Sequence, residues 1–66
     1  MNEAQTLVRT LIRLGLSFSE IAKRTDDRVS ERTIRRYYHG EVHPRQSSVV
    51  KVLQRIINEV TKESST

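Results

Sequence analysis

The first apolar residues of the chain recur at steps of three and four positions: Ala4, Leu7, Val8, Leu11 and Leu14. At about 100° per residue, these positions form one stripe along an α-helix. Arg9 and Arg13 point away from that stripe. Gly15 follows it, and glycine commonly ends a helix because it adopts a positive φ without strain. The pattern therefore predicts a first helix over about residues 2–14.

A capping signal marks the start of the second helix. Ser17-Phe18-Ser19-Glu20 has the pattern of a capping box, in which the serine and glutamate side chains each bind the other residue's backbone amide. Leu16 and Ile21 form the matching hydrophobic staple. These signals predict a short second helix over about residues 18–24, with Ile21 and the small Ala22 facing the core.

The same signal returns after the polar connection Thr25-Asp26-Asp27-Arg28. Ser30 is placed to cap a helix, and Val29 and Ile34 form a second staple around it. The third helix is predicted over about residues 31–39, because Gly40 then supplies the residue that ends it.

The two sides of this third helix differ in chemistry. Tyr37 and Tyr38 lie within about 60° of Ile34 around the helix axis, and we expect these three side chains to face the core. The opposite side is almost entirely cationic, and its members are Arg32, Arg36 and His39, with Arg35 flanking them. A helix of this kind buries one face and offers the other to a partner.

The last helix is predicted over about residues 48–61, with Ser47 or Ser48 as its cap. Its apolar stripe is about 120° wide and consists of Val49, Val50, Leu53, Ile56, Ile57 and Val60. A small core needs less than this, so the surplus either closes the core or meets a second subunit. The residues of that candidate dimer interface are Val52, Ile56, Ile57 and Val60. Residues 1–62 then form one domain, and residues 63–66 are expected to be a frayed tail.

The composition narrows the class of protein. The chain has 66 residues, of which 35% are hydrophobic, so it has room for one small all-α domain of four helices. It has no cysteine and therefore no disulfide or thiolate zinc site. No apolar run exceeds two residues, which argues against a membrane span or a signal peptide and favours the cytoplasm. His39 and His43 lack a paired nucleophile, so we expect no enzyme. We also expect no metal and no cofactor.

The charge is positive and unevenly distributed. Twelve Lys and Arg stand against eight Asp and Glu, which gives a net charge of +4, and nine of the twelve cations are arginine. Residues 23–45 hold seven of these cations against four acids. Arginine suits planar contact with phosphate or guanine, although a solvated helix face would also carry such charges.

Two capped helices joined by a polar turn, with arginines on the second, have the outline of a helix-turn-helix. From Leu16 to Ile56 the chain resembles the Cro/cI-type (XRE-like) helix-turn-helix family. The matching residues are Leu16-Ser17, Ile21-Ala22, Val29-Ser30, Ile34, Gly40 and Pro44, followed by the apolar residues of the last helix. To a lesser degree, the run Arg35-Arg36-Tyr37-Tyr38 before Pro44 and the last helix is similar to small phage regulators that accompany anti-CRISPR genes.

The resemblance implies a DNA-binding domain whose third helix enters the major groove. The chain departs from the family at one place, because the turn between Ala22 and Val29 is two residues longer than usual and has no glycine. A longer turn alters the direction of the third helix and therefore affects which bases it reaches.

Residues on the outer side of the third helix are the candidates for contact with base edges: Glu31, Arg32, Thr33, Arg35 and Arg36. Arg32 and Arg36 are the leading candidates for guanine, whereas Arg35 is an alternative contact to phosphate. Phosphate contacts are expected at helix starts and loop cations: Ser17, Ser19, Arg28, Ser30, Tyr38, His39, His43, Arg45, Gln46 and Lys51. For Ser17, capping is the stronger interpretation.

The sequence therefore predicts a regulator of transcription that binds double-stranded DNA. The expected form is a phage or prokaryotic repressor that binds a palindromic operator as a homodimer. One alternative is an antitoxin- or excisionase-like accessory that acts with a protein partner. Another is a protein-interaction module that uses the basic helix against an acidic partner.

Overall fold

The computed structural model describes residues 2–45 and 47–64, and within them the chain forms four α-helices and no strand. The helices are α1 (Glu3–Arg13), α2 (Phe18–Arg24), α3 (Glu31–His39) and α4 (Ser47–Ser64). The all-helical prediction is confirmed. Helices α2 and α3 have the expected bounds, whereas α1 is one residue shorter at each end.

Helix α4 is longer than the sequence pattern predicts. It begins at Ser47, so neither Ser47 nor Ser48 is the residue that precedes and caps it. It continues to Ser64, three residues beyond the predicted end, so it includes the first two residues of the tail that the sequence analysis set apart at 63–66. Buried Val60 and an ion pair between Arg24 and Glu63 (3.5 Å) hold these last turns to the rest of the molecule. Gln46 and residues 65–66 lie outside the described part of the chain.

Helix α1 packs against both α3 and α4, and α3 also packs against α2. The aliphatic side chains with no solvent exposure come from all four helices: Val8, Leu11, Ile21, Ile34, Leu53 and Ile56. Leu14 was expected in this core but is 40% exposed. Leu14 directly follows α1 and keeps a helical φ of −76° and ψ of −2°, so it lies at the end of the apolar stripe, where its side chain is left partly in solvent.

Part of the candidate dimer interface on α4 lies inside the core. Ile56 is 0% and Val60 7% exposed, so these two residues are not available to a second subunit and the prediction is wrong for them. Val52 and Ile57 are only partly buried, but five positions separate them, which is about 140° around the helix axis. They therefore lie on opposite flanks of α4 and form no single patch. The broad stripe closes the core of its own chain.

The connection between α2 and α3 is organised around a buried threonine. Thr25 is 1% exposed, and its hydroxyl donates to the carbonyl of Ala22 (2.6 Å) and accepts from the amide of Val29 (3.3 Å). Asp26 and Asp27 both have a positive φ, of 58° and 60°. Aspartate tolerates this conformation better than most residues, which explains how the turn forms without a glycine.

The hydrogen bonds of Thr25 should make a large contribution to stability. Thr25→Val keeps the shape of the side chain but leaves the buried amide of Val29 without its partner. We expect the free energy of unfolding, measured by urea titration with circular dichroism, to fall by about 1–3 kcal/mol. The control is Thr61→Val on α4, whose exposed hydroxyl donates only to backbone carbonyls of its own helix. Equal effects of the two substitutions would contradict the role of Thr25.

Candidate nucleic-acid interface

Both ends of helix α3 are closed by local hydrogen bonds. The hydroxyl of Ser30 accepts from the amide of Thr33 (3.2 Å), which confirms the predicted cap. At the other end Gly40 has a φ of 74°, and its amide donates to the carbonyl of Tyr37 (3.0 Å). The amide of Glu41 donates to the carbonyl of Arg36 (3.0 Å). These two bonds form a Schellman motif, which satisfies carbonyls that a helix end otherwise leaves unpaired.

The core holds one face of α3 and leaves the other in solvent. Ile34 is 0% and Tyr37 6% exposed, as the sequence predicts, whereas Tyr38 is only partly buried. Burial raises the pKa of the Tyr37 phenol above its ordinary value of 10.0, so this side chain remains uncharged at neutral pH. The exposed side chains of the opposite face are Arg32, Arg35, Arg36 and His39. The cationic face is therefore turned away from the molecule's own core.

Helix α1 anchors the carboxyl-terminal end of α3. The carbonyl of Tyr38 accepts from Nε of Arg9 (3.0 Å) and from Nε2 of Gln5 (3.3 Å). The guanidinium of Arg9 also lies over the Tyr38 ring, 5.0 Å from its centroid. The sequence pattern placed Arg9 away from the core and missed this contact. Gln5 and Arg9 are four positions apart and so share one flank of α1, which is the signal that was available.

The three arginines of α3 have different surroundings. Nη2 of Arg35 pairs with Glu31 (3.6 Å), and its guanidinium lies 5.3 Å from the centroid of the Phe18 ring. Arg36 pairs through Nε with Glu41 (3.5 Å). Arg32 forms no ion pair, hydrogen bond or ring contact with any residue in 2–45 or 47–63. The face is thus cationic, but two of its charges already have carboxylate partners.

An aromatic row runs beside the arginines. The rings of Phe18 and Tyr38 meet edge to face with centroids 5.5 Å apart, and Tyr38 meets His39 in the same way at 5.3 Å. Phe18 belongs to the first turn of α2, so this row joins the start of α2 to the end of α3. No role in the site was predicted for Phe18, because a single half-buried aromatic residue has no periodicity to reveal it.

The candidate base-reading residues occupy two kinds of position. Glu31, Arg32, Arg35 and Arg36 are exposed along one side of α3. Thr33 is partly buried, and its hydroxyl lies 3.0 Å from the hydroxyl of Ser30. Its side chain is therefore part of the helix start, although a hydroxyl can form more than one hydrogen bond and the methyl group is not engaged in this one.

The candidate phosphate contacts divide in the same way. The hydroxyl of Ser17 accepts from the amide of Glu20 (3.1 Å) and the carboxylate of Glu20 accepts from the amide of Ser17 (3.1 Å), which confirms the capping box. Ser30 is likewise a cap, and Ser19 and Tyr38 are partly buried. The exposed cationic or imidazole side chains are Arg28, His39, His43, Arg45 and Lys51. Gln46 lies outside the described residues.

Arg24 has a role that the sequence did not indicate. Its guanidinium joins the end of α2 to the end of α4 through Glu63 (3.5 Å) and Glu59 (4.0 Å). It is therefore partly neutralised and belongs to the fold. Its partners are thirty-five or more positions away in the sequence, so no local pattern could reveal them.

Other features of the described residues add no second site. Among them, no group of three or more His, Cys, Asp or Glu side chains is arranged to hold a metal ion. None of the helices in that part of the chain combines the length and the apolar character needed to cross a bilayer. An open recess of about 220 Å³ lies between the start of α1 and the loop before α4, lined by Asn2, Glu3, Ala4, His43, Pro44 and Val50.

The contacts of Arg9 should stabilise the end of α3. Arg9→Met keeps an unbranched side chain but removes the hydrogen bond to Tyr38 and the charge over its ring. We expect the free energy of unfolding to fall by about 1–2 kcal/mol, less than a fully buried charged hydrogen bond would contribute. Arg13→Met, one turn later and exposed, is the control and should change stability by less than about 0.5 kcal/mol. Urea unfolding of both variants makes the comparison, and an equal loss would refute the anchoring role.

Comparison of the chain with protein-family models, with curated proteins and with solved structures returned no match.

Proposed function

We propose that this chain is a cytoplasmic transcriptional regulator that binds double-stranded DNA in a sequence-specific manner. In this proposal α2, its turn and α3 act as a helix-turn-helix, and α3 lies in the major groove. One observation carries it: α3 buries Ile34 and Tyr37 and leaves Arg32, Arg35 and Arg36 in solvent. The major groove is about 12 Å wide and admits a helix with its side chains.

The charge balance of the face is compatible with this partner. Glu31 and Glu41 reduce its net charge, but both carboxylates and both of their arginine partners are about half exposed. Exposed ion pairs contribute only about 0–1 kcal/mol, because water competes for both charges. A phosphate or a guanine can therefore replace such a pair at small cost. Arg32, which has no such pair, is the first candidate for a base contact.

The residues divide by the groups that they would contact. Arg32 and Arg36 would bind guanine, and each good bidentate pair contributes about 1–3 kcal/mol of discrimination. Arg35, which leans over Phe18 toward α2, would bind a phosphate. Exposed cations outside α3 would add contacts to the DNA backbone, and these are Arg28, Arg45 and Lys51. Such contacts fix the register of the protein on the duplex without reading sequence.

Two copies on a palindromic operator would supply the contacts that one small domain lacks. Repression would then follow from occupying an operator that overlaps a promoter. The described residues leave Leu14 as their one largely exposed large hydrophobic side chain. Because association of free copies needs a sizeable apolar patch, we propose that the pairing forms on the DNA and is weak in free solution.

Selection on random duplexes, followed by titration at several salt concentrations, tests DNA binding. We expect a recurring half-site that contains guanine. Arg32→Ala or Arg36→Ala should relax the preference at one base pair by about 1–3 kcal/mol, while circular dichroism shows unchanged helicity. The control is Arg13→Ala, an exposed cation on α1, which should leave the preference unchanged.

Each of the other outcomes supports a different interpretation of the function. Equal loss of affinity on all sequences would make Arg32 and Arg36 phosphate contacts. Absence of any salt-dependent binding to duplex DNA would overturn the proposal. Binding of an acidic protein instead would favour an interaction module, and DNA binding that requires a second protein would favour an antitoxin- or excisionase-like accessory.

The proposed mode of pairing gives a further expected result. Sedimentation of the free protein at micromolar concentration should show a monomer, and addition of the selected palindrome should give two copies per duplex. A duplex with one half-site scrambled should bind a single copy with lower affinity. A stable dimer without DNA would contradict pairing on the DNA, although it would leave sequence-specific binding intact.

A further inference from the structure

The carboxylates beside Arg35 and Arg36 hold different atoms of the two guanidinium groups. Glu41 pairs with Arg36 through Nε, at 3.5 Å. Glu31 pairs with Arg35 through the terminal Nη2, at 3.6 Å. A guanidinium has three nitrogens, and a fork toward O6 and N7 of guanine needs two of them side by side. Contact through Nε leaves both terminal nitrogens of Arg36 available for that fork, whereas in Arg35 the nitrogen that faces the carboxylate is a terminal one.

The backbone fixes Glu41 next to Arg36. The amide of Glu41 donates to the carbonyl of Arg36 (3.0 Å) as part of the Schellman motif at Gly40. The same two residues are therefore joined by a main-chain hydrogen bond and by a side-chain ion pair. Glu41 follows the helix end rather than lying on the helix, so its carboxylate reaches Arg36 from beyond the last turn. This geometry depends on one left-handed residue.

We infer that Glu41 is a positioning residue, which orients the guanidinium of Arg36 for a guanine in the major groove. The inference rests on the proposed function, because it assigns a role within the same DNA-binding face. It goes further by explaining why an acid lies beside a surface that binds a polyanion. A carboxylate at this place repels phosphate and therefore lowers the affinity for every DNA sequence. It also restricts the orientations of the Arg36 guanidinium.

The two effects of Glu41 have opposite signs in an experiment. Loss of its charge should raise affinity for all duplexes, because a like charge is removed from beside the phosphates. Loss of its contact with Arg36 should lower the preference for guanine at the base pair that Arg36 reads. A residue that acted only through its charge, or only on stability, would leave that preference unchanged.

Glu31 provides a matched control on the same face. It is half exposed, pairs with an arginine of α3, and carries the same charge as Glu41. Its partner Arg35 is held by a terminal nitrogen and lies over the Phe18 ring. Glu31→Gln therefore removes an equal charge without removing a contact of Arg36, and it should leave the preference at the base pair that Arg36 reads unchanged. Glu31 lies five positions before Arg36, about 7.5 Å along the helix axis, so a base contact of its own would change the preference at a different base pair.

The experiment measures the affinity of the wild type, Glu41→Gln and Glu31→Gln for the selected operator. The measurement is repeated on duplexes that carry each of the other base pairs at the position where Arg36→Ala relaxes the preference. We expect Glu41→Gln to reduce the preference for guanine there about two- to fivefold, the range that an exposed ion pair can supply. Circular dichroism should show equal helicity for all three proteins, since both carboxylates are exposed.

The possible results separate this inference from the proposal beneath it. An unchanged preference in Glu41→Gln, with Arg36→Ala still relaxing it, would overturn the positioning role and leave DNA binding intact. An equal loss in Glu31→Gln would also overturn it, since orientation of Arg36 would then not be the cause. Absence of sequence preference in the wild type itself would overturn both.

Discussion

Burial of Ile34 and Tyr37 in the core determines which side of α3 faces solvent. A nine-residue helix has little stability of its own, so its orientation is set by the apolar side chains that it can bury. Once these two side chains are buried, the arginines on the opposite side of α3 can only face solvent. Burial of a few apolar side chains thereby determines the direction in which the charged side chains of the same helix point.

The local signals in the sequence were sufficient to predict all four helices and the ends of α2 and α3. Ser17 with Glu20 and Ser30 with Thr33 form caps that depend on residues three positions apart, so both could be recognised without the fold. The end of α3 at Gly40 followed from the same local logic. These features are encoded over a single turn of helix, which is the range over which a sequence pattern determines geometry.

Contacts between distant parts of the chain could not be predicted in the same way. Arg9 and Arg24 both appear in the sequence as surface cations, yet one holds the carbonyl of Tyr38 and the other joins α2 to α4. The width of the apolar stripe on α4 was ambiguous for the same reason, because a stripe does not say whether its own chain or another one covers it. Ile56 and Val60 are covered by their own chain. The cationic face of α3 was predicted, whereas the carboxylate partners of its arginines were not, although both lie within five positions in the sequence.

Gly40 meets two independent constraints. Its φ of 74° is unfavourable for most residues with a side chain, and a Cβ atom there would lie 2.8 Å from Nε2 of Gln5, the end of a flexible side chain that would have to move. A larger residue would thus disturb the end of α3, the contact of α1 with that end, and the position of Glu41. Substitution of Gly40 would consequently change the arrangement of the cationic face, although Gly40 contributes no side chain to that face.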